Sequence, residues 1–314
     1  MIHRLLQPKD LPEELWLPSD EMLVLPEALT QIYKQMLESK GLYDDALNND
    51  SDEGPVGGVS KEDTEKHFAS RFSGSAARTQ LSILDPHNEL GNASNLFIQA
   101  FSGGSVGLLD IPSGAGAASI DLLLSVATLR EQGIVPRQPL FVKLVSGDIS
   151  EHARAYATEM LSGVSDVLKE QCIYVEERSV SWDVCDADST TSVLHEWMKH
   201  APDCREYFVV MANFSGFLQS QGKFQKSTPQ LEEVFRWAGQ RRSTVLWLEP
   251  QTKKVTENFI PRIRNWFASK LPAVFSKLWE QSSVPPTSRC NLRHPFKEYN
   301  PRVTLTLIEL KVSE

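Results

Sequence analysis

The chain is poor in the residues that would place it outside ordinary globular proteins. Only four cysteines occur in 314 residues, Cys172, Cys185, Cys204 and Cys290. None forms a CxxC pair, so neither a disulfide scaffold nor a zinc or iron–sulfur site is expected. No apolar run reaches the roughly 18 residues of a membrane-spanning helix, and Pro8 with its flanking charges interrupts the start before a signal-peptide core could form. A cytoplasmic protein without membrane contact is expected. The seven histidines are scattered and share no ligand spacing with acidic residues, so no metal is predicted. No Gly-Lys-Ser/Thr follows a glycine turn, which excludes a phosphate-binding P-loop.

What is present is ordinary in amount and uneven in placement. With 41% hydrophobic and 23% charged residues, the chain has material for one large α/β domain with an appendage. The net charge of −9 hides an asymmetry. From residue 221 onward there are 16 Lys and Arg against 8 Asp and Glu, leaving 16 against 33 in residues 1–220, so the two parts carry +8 and −17. A basic C-terminal third is one way to meet an anionic partner, RNA among them, through phosphate contacts.

The first hundred residues read as a helical extension or lid. Leu25, Leu29, Ile32, Tyr33, Met36 and Leu37 recur at helical spacing within 25–40. Residues 44–60 are rich in Asp, Asn, Gly and Ser, which predicts a flexible loop. Helices are expected again over 64–84 and 93–101, the latter stopped by Ser102-Gly103-Gly104.

Beyond residue 100 apolar runs alternate with amphipathic stretches. Strands are predicted at 106–111, 140–145, 171–180, 207–212 and 244–248, and helices at roughly 117–132, 150–169, 189–199, 229–240 and 259–279. Five βα units imply helices on both faces of a mainly parallel sheet. Two further strands, 290–296 and 303–312, flank a turn at Asn300-Pro301 and imply an antiparallel C-terminal hairpin. The expectation is a doubly wound α/β domain over 101–314 with a mainly parallel, seven-stranded sheet, preceded by the helical extension 1–100.

The segment Leu108-Leu109-Asp110-Ile111-Pro112-Ser113-Gly114-Ala115-Gly116-Ala117 carries the chemistry. A buried strand ends in a turn of small residues and a helix begins at once, so free N–H groups and a partial positive charge face whatever approaches the backbone. Ligands of open α/β sheets sit outside the carboxyl ends of the strands, where this turn lies. Neither register of the turn matches the G-x-G-x-x-G dinucleotide fingerprint, because Pro112 or Ser119 interrupts it.

Residues 108–117 resemble motif I of the class I S-adenosylmethionine-dependent methyltransferases, in the variant with proline at the first glycine position. That family has a seven-stranded sheet whose last two strands form an antiparallel hairpin. The resemblance spans about residues 100–314 and implies S-adenosylmethionine as cofactor and methyl transfer as activity. It makes Asp110 the motif I acid and places Pro112, Ser113, Gly114 and Gly116 around the cofactor's amino-acid part. It implies Asp148 as acceptor for the ribose hydroxyls, with a helix cap as the alternative role, and Asp183 near the adenine amino group, with a turn residue as the alternative. Arg71 or Arg78 stands where some relatives hold the cofactor carboxylate. After the fourth strand, Asn213 and Phe214 occupy the family's position facing the transferred methyl group, without the two prolines typical of nucleobase amino-methylating members, and Glu249 is a further polar contact to substrate. Trp182, Trp197, Trp237, Trp247 and Trp266 are expected in the core. The acceptor, RNA or a small molecule, stays open, and a non-catalytic binding or assembly module on the same fold is the alternative function.

Overall fold

The computed structural model describes residues 4–48, 58–241, 243–252, 259–270 and 285–311. The chain opens with strands β1 (Trp16–Leu17) and β2 (Met22–Val24) and helices α1 (Glu27–Ser39), α2 (Tyr43–Asn48), α3 (Lys61–Leu84) and α4 (Ala93–Phe101). The alternating part follows as β3 (Gly104–Asp110), α5 (Ala117–Glu131), β4 (Leu140–Asp148), α6 (Glu151–Gly163), α7 (Ser165–Glu170), β5 (Ile173–Ser181) and α8 (Ala187–His200). It continues through β6 (Glu206–Ala212), α9 (Ser215–Ser220), α10 (Phe224–Gln240), β7 (Thr244–Glu249) and α11 (Ile260–Lys270), and ends in β8 (Thr287–Arg293) and β9 (Arg302–Lys311).

The strands form one sheet in the order β1-β2-β8-β9-β7-β6-β3-β4-β5. From β7 to β5 all neighbours are parallel; β9 runs antiparallel to β7 and β8 antiparallel to β9, so the C-terminal hairpin is present. Val106 to Asp110 of β3 and all of β7 are buried, as parallel strands covered on both faces must be. Alternate side chains divide between two cores. Leu108, Leu144 and Val210 join α3 and α5 on one face, whereas Leu109, Val145 and Met211 join α8 and α10 on the other. Among the described residues no helix is long and apolar enough to cross a membrane.

The sheet has nine strands instead of the expected seven. The added strands, β1 and β2, are two and three residues long, too short to show alternation, and β2 pairs parallel with β8. The segment expected as a loop over 44–60 begins as helix α2, whose Ala46 is buried against the core; residues 49–57 of it lie outside the described part. The helix expected over 150–169 is two helices broken at Val164, after Gly163, a poor helix former. Helix α10 starts at Phe224, ahead of Pro229, because Phe224 buries its ring edge-on against Phe259 at 5.8 Å. The helix expected over 259–279 is described only as far as Lys270.

The expected boundary near residue 100 falls between α4 and β3, and one hydrophobic cluster crosses it, running from Leu6 through α1 and α3 to Leu307. Helix α3 is the bridge. Its N-terminus is capped by the Ser60 hydroxyl, which accepts the Asp63 N–H. Its middle is gripped by Tyr33 of α1. The buried Tyr33 hydroxyl stands 2.8 and 2.9 Å from the carbonyl oxygens of Phe68 and Ala69, and its ring stacks on Phe72 at 4.6 Å. Tyr33→Phe keeps the ring and removes only this donor, so it is expected to lower the unfolding free energy by about 1 kcal/mol. Urea denaturation of parent and variant checks this; equal midpoints would show that ring packing alone holds α1 to α3.

Candidate functional site

At the carboxyl ends of the parallel strands lies a cleft whose empty space, open solvent at its mouth included, is about 1140 Å³. One wall is the turn from Pro112 to Ala118. A second comes from the ends of β4 and β5 through Asp148, Ile149, Trp182, Asp183 and Val184. The loop after β6 supplies Asn213, Phe214 and Phe217. Helix α3 closes the remaining side with Thr64, His67, Phe68, Phe72 and Ser75.

The turn owes its form to two glycines in the left-handed region. Gly114 has φ +52, with open space where a Cβ would stand, so backbone conformation is what calls for glycine there. Gly116 has φ +80, and a Cβ on it would lie 2.9 Å from Ile120 Cδ1 and 3.2 Å from Ala157 Cβ. Gly116 therefore lets α5 and α6 approach each other and does not itself line the cavity. Just before them Ser113 lines the cavity, and its buried hydroxyl has no protein partner.

Asp148 ties the turn to the next βα unit. Its Oδ2 accepts the Gly114 N–H at 2.9 Å and its Oδ1 the Ser150 N–H at 2.8 Å. Burial pushes its carboxyl above the usual range, and the N–H groups of Ser150 and Gly114 pull it back. The helix cap proper is Ser150, whose hydroxyl accepts the Ala153 N–H. Asp148 lines the cavity, and each of its oxygens has accepting capacity beyond the one bond it makes to the protein. Asp183 lines the same wall and holds its own turn, Oδ1 accepting the Cys185 N–H at 2.8 Å.

Asp110 sits beneath the turn, fully buried, with the hydroxyl and N–H of Ser119 beside its carboxylate but no close, well-aligned hydrogen bond to either oxygen. Burial raises its pKa to about 7, with the Ser119 hydroxyl and N–H offsetting part of the cost and Asp148 and Glu177 adding to it. It is not on the cavity wall.

Two expected contacts also stand behind the wall. Glu249, at the end of β7, is buried and fully engaged. Its Oε1 accepts the N–H groups of Phe214 and Ser215 and the Trp247 indole N–H at 2.9, 2.7 and 2.6 Å, and its Oε2 accepts the Ser215 hydroxyl at 2.6 Å. Burial pushes its pKa up against these bonds. The carboxylate therefore clamps the β6 loop at the start of α9 in place of touching a ligand. Arg78 donates to the Gly74 carbonyl at 2.6 Å; burial lowers its pKa to about 10, with Glu249 pulling it up and Arg71 down. It faces the Glu249 side of α3, off the cavity wall.

The clamped loop presents Asn213 at φ +56, a conformation asparagine tolerates better than most residues. Its N–H donates to the Leu248 carbonyl at 2.8 Å, and its buried Oδ1 has no partner. Phe214 packs between Phe217 and Trp182, both at 5.9 Å. Of the tryptophans, Trp182, Trp197, Trp247 and Trp266 are buried and Trp237 half-buried; Trp182 also forms cavity wall.

The sequence predicts the N-terminal helices as a lid but assigns none of the α3 residues to the cavity wall, because no local pattern says which face of a helix meets a cavity. The chain matches no model of a known protein family and no curated protein.

The buried acid yields a pH test. The Asp110 carboxyl, ordinary value 3.8, titrates near 7 in the folded chain, so the folded state holds a proton that the unfolded state has released. Its stabilising contribution is full below about pH 4 and is lost as pH rises to 7. Asp110→Asn is expected to gain on the parent between pH 5 and pH 8 by up to about 2.7 kcal/mol. Urea denaturation at both pH values reads this, and a pH-independent difference would mean that Asp110 ionises as an ordinary carboxylate.

Proposed function

We propose that the cavity binds S-adenosylmethionine and that the chain transfers its methyl group to an acceptor held between α3 and the loop after β6. The observation that carries this reading is the convergence of Ser113–Gly114, Asp148 and Asp183, from the ends of three adjacent parallel strands, on one cavity wall. The seven strands β3 to β9, with their antiparallel β8–β9 pair, are in keeping with the family that residues 108–117 resemble.

Each residue has a physical task. Asp148 offers lone pairs to ribose hydroxyls, and its bonds to Gly114 and Ser150 hold it still for that purpose. Asp183 offers a carboxylate to an exocyclic amine. Ser113 brings an unsatisfied hydroxyl whose burial is costly until a ligand meets it. The place where a dinucleotide's pyrophosphate would take the turn's N–H groups is partly filled by the protein's own carboxylate, since Gly114 already donates to Asp148. A cofactor with a cationic sulfonium suits this acidic, aromatic-walled site better than one with two phosphates.

The bound cofactor supplies an electrophilic methyl carbon. The chain's contribution would be alignment: Glu249 fixes the Asn213–Phe214 loop and α3 supplies a wall, so that an acceptor would be held against the cofactor's methyl group. Asp110 and Gly116 act by shaping the turn, and Arg78 and Glu249 by positioning the walls.

Isothermal titration tests the reading. S-adenosylmethionine and S-adenosylhomocysteine are expected to bind with Kd of about 1–100 μM, Asp148→Asn to weaken both at least about tenfold, and NADH to give no heat. Absence of binding to the parent would overturn the proposal. Binding without consumption of the cofactor in the presence of cell extract would assign the fold to a non-catalytic module.

A further inference from the structure

Resting on that reading, we infer that the methyl acceptor is a compact aromatic or heteroaromatic molecule, uncharged or cationic and bearing a hydrogen-bond donor, and not a nucleic acid. Three observations point to it. The acceptor side of the cavity is aromatic from two directions, with Phe68 and Phe72 on α3 and the near-parallel pair Phe214 and Phe217, 13° apart, on the β6 loop. Such walls favour a flat ring. Asn213 lines the same cavity, and its buried Oδ1 is an acceptor with no donor in the protein, which a ligand N–H or O–H would satisfy.

The third observation is charge. Among the described residues on the wall, the ionisable ones are Asp148, Asp183 and His67, and none is Lys or Arg. An anion entering this space would be desolvated next to two carboxylates, with no Lys or Arg on the described wall to pair with. The ammonium of Lys223 stands over the Phe217 ring at 4.8 Å without lining the cavity. Every lining residue falls between 58 and 217, within the acidic part of the chain, so the basic C-terminal third contributes nothing to the described wall. A polynucleotide that threaded a base into the cavity would need cations to hold its phosphates at the mouth, and among the described lining residues none is Lys or Arg.

The test uses one ring in three charge states. Indole, tryptamine and indole-3-acetate are titrated into the full chain saturated with S-adenosylhomocysteine, with bulk tRNA as competitor. Indole and tryptamine are expected to bind about tenfold or more tightly than indole-3-acetate, and tRNA to displace neither. Phe217→Ala is expected to weaken indole by about three- to tenfold. Asn213→Asp, which suits the same positive φ, keeps the acceptor and adds a negative charge. It is expected to tighten tryptamine while leaving indole unchanged. Equal or tighter binding of indole-3-acetate, displacement by tRNA, or no probe binding to a chain that binds S-adenosylhomocysteine would each overturn the inference. Indole binding to a chain that does not take up S-adenosylhomocysteine would instead sink the cofactor reading.

Discussion

A parallel sheet has to be buried on both faces, and the rest of this structure follows from how that requirement is met. Strands β3, β6 and β7 carry apolar side chains to either side, so two layers must cover them. On one face the helices that alternate with the strands suffice. On the other, α5 is joined by α3, a 24-residue helix from the N-terminal region, with α1 packed behind it. The same helix that completes the core overhangs the carboxyl ends of the strands and becomes a wall of the cavity. Covering the sheet and enclosing the site are therefore one structural act, and Tyr33, which holds the middle of α3, stands at its centre.

At the strand ends the energetics are set by buried acids in three different states of satisfaction. Glu249 accepts four hydrogen bonds and spends its charge on holding a loop. Asp148 accepts two and keeps capacity toward the cavity. Asp110 has Ser119 beside it, without a well-aligned hydrogen bond, and is pushed toward its neutral form near pH 7. The gradient separates positions that residue type alone does not: clamp, cavity wall and buried support.

Much of the fold was legible because its signals are local. The end of β3, the turn after it, the start of α5 and the bounds of α4 stand where periodicity and glycine placement put them. The antiparallel C-terminal pair was readable from two apolar runs around Asn300-Pro301. The missed pieces lack such signals. β1 and β2 exist because β8 offers an edge to pair with, and α2 is fixed by the burial of Ala46 within a polar stretch. In the site, the polar groups of Ser113, Asp148, Asp183 and Asn213 could be nominated from their positions at strand ends. Glu249 and Arg78 stood at equally suggestive positions and turned out to lie one layer behind the wall.

By itself the sequence determined the alternation of strands and helices, the glycine turn and the acids at strand ends, because hydrophobic period and backbone permissiveness act within a few residues. Only the tertiary structure decided which acid faces the cavity, which is consumed by its neighbours, and that α3 closes the site. Those outcomes depend on hydrogen bonds and ring contacts between segments more than 30 residues apart, such as Gly114 with Asp148 and Phe214 with Glu249. Nothing in a local pattern encodes such pairings; they exist once packing has brought the segments together.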